Sequence, residues 1–129
     1  MSDPAMIDLL WQHRPELLFV TKEQFAAALD GWEIDPRKVD GEIAFVWLSK
    51  GPELHFVCTA TGKSMPKAML RDVLQGVLDR HGYVVVKTPK DDARQQRFNR
   101  TVGFRQIGED EYDVHLRLDK FGREANPCP

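Results

Sequence analysis

Cysteine is scarce in this chain: two among 129 residues, Cys58 inside an apolar run and Cys128 next to the end. Two such residues cannot make a disulfide framework, and they have no metal-ligand spacing, so both thiols are expected reduced and Cys58 is expected to be a small buried hydrophobe. No apolar stretch approaches the roughly 20 residues that a bilayer-spanning helix needs. The opening Met1-Ser2-Asp3-Pro4 lacks the basic and apolar regions of a signal peptide. The expectation is a cytoplasmic protein without a membrane partner. Charge of one sign is not in excess either: 18 Lys+Arg face 20 Asp+Glu, a formal charge of -2. That balance gives no global field to hold a phosphate backbone, so nucleic acid is not an expected partner. Internal repeats, low-complexity tracts, linkers and a metal constellation are also missing.

What remains is an ordinary globular composition, 42% apolar and 29% charged. The length suits one domain over residues 1–129, with a core at about 21–118 and a loose tail at 119–129. Apolar groups at Met6, Ile7, Leu9, Leu10 and Trp11 make a helical stripe that stops before Pro15. Thr21, then Glu23 and Gln24 before Phe25-Ala26-Ala27-Ala28-Leu29, predict a capped second helix ended by Gly31. A turn-rich stretch around Pro36 follows Glu33-Ile34. Two strands come next, Glu42 to Leu48 and Leu54 to Cys58, joined as an antiparallel hairpin by Lys50-Gly51-Pro52.

After Gly62 the period becomes helical through Met69, Leu70, Val73, Leu74, Val77 and Leu78, and His81-Gly82 closes the helix. Tyr83-Val84-Val85-Val86 has the continuous apolar pattern of a central strand, which suggests a right-handed βαβ unit with the Leu54–Cys58 strand. Asp91 or Asp92 caps another helix to about Thr101, with Gly103 as its stop. A last hairpin runs from Phe104–Ile107 through Gly108-Glu109-Asp110 into Tyr112, Val114, Leu116 and Leu118, which alternate with Asp113, His115 and Arg117. One face of that arm should be buried, Tyr112 included, and the other wet.

The order α-α-β-β-β-α-β-α-β-β, with the ending Phe98-Asn99-Arg100-Thr101-Val102-Gly103-Phe104, resembles the GCN5-related N-acetyltransferase (GNAT) superfamily. The resemblance covers about Thr21 to Leu118. It implies an α/β fold with a mixed GNAT-like sheet, and the strand that usually opens such domains is absent at the front of this chain. It also implies acetyl transfer from acetyl-coenzyme A to a small-molecule amine or a protein amino group. The alternative is a GNAT-like fold without catalysis, used for binding or for phage and virion assembly. Trp11, Trp32 and Trp47 leave a homodimer surface open.

The family's pyrophosphate loop, Gln/Arg-x-x-Gly-x-Gly/Ala, falls on Thr61-Gly62-Lys63-Ser64-Met65-Pro66. Backbone N–H groups at a helix N-terminus hold an anion there. Ser64 is the expected N-cap, and Lys63 and Lys67 add positive charge, whereas Ser64 and Pro66 depart from the family's glycines. The resemblance assigns Val57, Cys58 and Thr59 to backbone contact with the cofactor, and their N–H groups should be free. Arg94 and Arg97 would reach the phosphates and Phe98 would pack beside the groove. Glu53 and His55 stand where family members place a base, histidine being the side chain that ordinarily titrates nearest neutrality. Asn99 stands where the family often has an acidic Tyr. Asn has no titratable proton, so water, Cys58 or Tyr112 would have to substitute.

Overall fold

The computed structural model describes residues 4–14, 20–60 and 62–119. Thr61, Cys128 and the tail from 120 on therefore lie outside the described residues. The elements are α1 (Pro4–Gln12), α2 (Lys22–Ala28), β1 (Glu33–Val39), β2 (Glu42–Lys50), β3 (Glu53–Cys58), α3 (Lys67–His81), β4 (Val84–Pro89), α4 (Ala93–Val102), β5 (Arg105–Glu109) and β6 (Asp113–Leu118). This is the order read from the sequence. The strands form one mixed sheet in the order β1-β2-β3-β4-β6-β5, and the chain divides into two compact units.

The first unit holds Met1–Lys50 and His55–Met65. Its α2 begins with a full capping box: Thr21 Oγ1 accepts from Gln24 N–H at 3.1 Å, and Gln24 Oε1 accepts from Thr21 N–H at 2.9 Å. Trp11 of α1 meets Phe25 of α2 edge to face, with ring centroids 5.3 Å apart. Leu10, Leu29 and Val46 are the buried centre, with Ile7, Phe25, Ile34, Leu48 and Val57 packed around them. Asp40 and Gly41 both have positive φ, which suits the tight two-residue turn from β1 to β2.

The first strand of that order, β1, does not stop at Glu33-Ile34 but takes in the stretch expected to be turn-rich, passing through Pro36 in register with Val46. Proline survives there because β1 ends the strand order and has a neighbour on one side only. The register then shifts between Arg37 and Lys38. On the other face of β2, Phe45 and Trp47 are buried and both meet the ring of Phe56. The indole Nε1 of Trp47 is buried without a hydrogen-bond acceptor.

The second unit holds Gly51–Leu54 and Pro66–Pro129. Val73, Leu74 and Val77 are the buried side of α3, which ends at Gly82 with φ 83. Glu53 of β3 pairs in parallel with Val85 of β4. Strand β6 pairs antiparallel with β4 from Val84↔Leu118 to Pro89↔Asp113. Because directly opposed residues share a face, Val84, Val86 and Thr88 lie with Leu118, Leu116 and Val114, all buried or half-buried. Val85, Lys87 and Pro89 lie with Arg117, His115 and Asp113 on the polar face. Asp92 caps α4 through Gln95 N–H at 3.0 Å. The last turn comes later than its sequence suggests, since β5 runs on through Gly108 and Glu109. Tyr112 consequently stands in the turn and is 72% exposed, not on the buried face of the strand.

Candidate functional site

The residues that the GNAT resemblance singled out fall in both units. In the first, His55 is half-buried on β3, its ring 5.5 Å from that of Trp32. Val57 belongs to the apolar cluster beneath α1 and α2. Cys58, expected buried, is exposed at the last position of β3. Partial burial of its thiol nevertheless raises its pKa, so the protonated form is favoured. Thr59 has no free N–H: it donates to Ala44 O at 2.8 Å, and its hydroxyl donates to Ile43 O at 2.9 Å.

Gly62 has φ 79, a left-handed conformation that side chains other than hydrogen resist, so its place in the loop is set by backbone geometry. Lys63 reaches back to the β1–β2 turn, 3.2 Å from Asp40 and 3.6 Å from Glu42. The hydrogen bond to Asp40 leads in raising its pKa. Lys63 thus serves this acidic pair and does not stand as a free cation.

In the second unit, Glu53 opens β3 opposite Val85. Ser64 does not cap α3; the cap position is held by Pro66, which offers no side-chain hydrogen bond. The chain enters the helix two residues later than Ser64 allows, because Pro66 with φ -63 and ψ 138 is still extended. The first helical bond runs from Leu70 N–H to Pro66 O at 3.1 Å. The N–H groups of Lys67, Ala68 and Met69 precede it and have no intrahelical acceptor.

On α4, Arg94 and Arg97 are exposed, and so is Phe98 at 41%, contrary to the packing role expected for it. Asn99 turns inward and is the one buried residue of that helix. Its Nδ2 donates to Thr88 Oγ1 at 2.9 Å, and its Oδ1 accepts from Gln95 Nε2 at 3.1 Å. Asn99 is therefore a strut between α4 and β4, not a proton donor.

The sequence places Asp113 and His115 together on the outward face of the last strand but does not reveal the partner of His115. In the turn between β5 and β6, Asp110 Oδ1 accepts from the N–H groups of Tyr112 and Asp113, each at 2.9 Å, while Oδ2 lies 2.7 Å from His115 Nε2. The two backbone donors and His115 hold the carboxyl well below the usual carboxylate range. An aspartate at the start of a tight turn was the signal available in the sequence, since such residues bind the backbone two or three positions on.

Among solved structures, an N-acetyltransferase of ribosomal-protein alanine from Brucella melitensis aligns with a TM-score of 0.64 at 12% identity, over 91% of this chain and 93% of its own. A counterpart from Escherichia coli gives 0.67 at 10% identity, over 91% and 89%. A GNAT-family protein of Desulfovibrio desulfuricans gives 0.63 at 17% identity, over 92% and 95%. The fold is that of the GNAT acetyltransferases. No family model and no curated protein matches this sequence. The GNAT likeness is therefore one of backbone architecture, carried at identities where few side chains are shared. Among the described residues no helix is long and apolar enough to cross a membrane.

Proposed function

We propose that this GNAT-fold protein is an N-acetyltransferase that takes its acyl group from acetyl-coenzyme A and passes it to an amine. The observation that carries the reading is the start of α3. The 15-residue helix Lys67–His81 opens there without a side-chain cap. Its leading N–H groups and positive dipole end suit a pyrophosphate. Lys67, the exposed first residue of the helix, adds a charge beside them.

The residues present fit the donor with one change from the sequence reading. Lys63 is engaged by Asp40 and Glu42, so anion binding rests on backbone N–H groups and Lys67. In the reaction the acceptor nitrogen, once neutral, forms the new bond to the acetyl carbon as the carbon–sulfur bond breaks. Asn99, fixed between Thr88 and Gln95, cannot protonate the departing sulfur, so that proton comes from solvent or from the nitrogen itself.

Isothermal titration of the protein with acetyl-coenzyme A tests the reading. Binding in the micromolar range, roughly -8 kcal/mol at 1 μM, weakened by Lys67→Glu, is the expected result. No heat at millimolar ligand would overturn it.

A further inference from the structure

On the polar face of β6, His115 is held by a carboxylate that is itself held by two backbone N–H groups. In the neutral imidazole, a hydrogen on Nε2 donated to the Asp110 carboxylate leaves the lone pair on Nδ1. A base oriented by a third group is the recurring arrangement for moving a proton in enzymes.

The surroundings favour that use over a plain hairpin staple. His115 is opposed on β5 by Gly108, next to a register shift between Gln106 and Gly108. A side-chain carbon built on Gly108 would have nothing within 4 Å, so that flank is open. On the β4 side His115 faces Lys87. Within β6 its neighbours on the same face are Asp113 and Arg117, and Arg117 is engaged by Asp119 and lies over the Tyr83 ring. Pairing of Pro89 with Asp113 puts the start of β6, two residues before His115, at the carboxyl end of β4. In sheets with parallel strands that end is where ligands bind.

We propose that His115, oriented by Asp110, is the general base that takes the proton from the amine acceptor. The proposal rests on the acetyltransferase reading and adds a residue that reading did not contain. The amine enters as an ammonium ion and gives one proton to Nδ1. Its electron pair then forms the carbon–nitrogen bond, the carbon–sulfur pair leaves with sulfur, and the nitrogen's second proton goes to the thiolate. His115 returns its proton to water, so the turnover releases one proton net.

The test follows free thiol release from acetyl-coenzyme A with an alanine-initiated hexapeptide, lysine amide and tyramine as acceptors. It compares wild type, His115→Gln, His115→Ala and Asp110→Asn, all checked for unchanged melting. Expected is a loss of about 100-fold in kcat for His115→Gln, with acetyl-coenzyme A affinity unchanged. His115→Ala should be partly rescued by added imidazole, and Asp110→Asn should lose about tenfold by misorienting the ring. If wild type is active and His115→Gln stays within about threefold of it, the base is elsewhere and the acetyltransferase reading stands alone. If acetyl-coenzyme A does not bind, both fall together. If it binds and none of the three amines reacts, the His115 ring resonance in NMR decides: a shift on amine titration supports the site, and an unmoved resonance overturns it.

Discussion

Replacing Asn99 by Leu keeps the side chain's size and removes its polar ends. Thr88 is 2% exposed and Asn99 5%, so the Thr88 hydroxyl loses a partner that water cannot replace. Stranding a buried polar group in this way costs about 1–3 kcal/mol. Thr88→Val does the converse and strands Asn99 Nδ2, at a similar cost of about 1–3 kcal/mol. The double variant removes both ends of the bond at once, so it should cost about 1–2 kcal/mol less than the two single changes added. Urea denaturation with an unchanged slope reads these values, and for a chain of this size each kcal/mol lowers Tm by about 4 °C. Strictly additive costs, or an Asn99→Leu protein as stable as wild type, would refute the strut. If Asn99 instead touched the cofactor, Asn99→Leu would weaken acetyl-coenzyme A binding at unchanged stability, the opposite pattern.

Three other perturbations have definite outcomes. Gly62→Ala should destabilise by about 1–2 kcal/mol in thermal melts, because an alanine at φ 79 is strained although nothing lies within 4 Å of the added carbon. Asp110 has a lowered pKa in the folded chain, so its contribution to stability is present above the ordinary carboxylate range and is lost as pH falls through and below it. Asp110→Asn should therefore flatten the acid limb of the stability curve measured by denaturation from pH 7 downward, and an unchanged limb would contradict the assignment. Cys58 should react with iodoacetamide more slowly at pH 7 than a free cysteine does, despite its exposure, and accelerate at higher pH than usual, since its thiol pKa is raised by partial burial. Mass spectrometry of time points follows the alkylation.

Most of the element order was legible because punctuation and period agreed. Thr21 with Gln24, Asp92, Gly82 and Gly103 each stop or start an element where the structure does. What the sequence hid depended on position within the sheet or on a helix's outward face. Pro36 reads as a turn unless it is known that its strand has one neighbour. Ser64 reads as a cap until Pro66 is seen to hold the chain extended up to Lys67. Phe98 and Asn99 are adjacent, and which of the two faces inward follows from packing and not from polarity: the asparagine is buried because Thr88 and Gln95 meet it. The Asp110–His115 pair spans a turn, so its members look like a turn residue and a strand residue until the backbone folds them together.

The two ends of the strand order have one trait in common. At one end β1 contains Pro36, which has no N–H, and shifts register after Arg37; at the other β5 shifts register between Gln106 and Gly108. An approaching strand from another chain would meet an interrupted row of donors at either margin. The sheet thereby terminates itself, and at high concentration in solution it should resist growing by edge-to-edge addition into ordered aggregates.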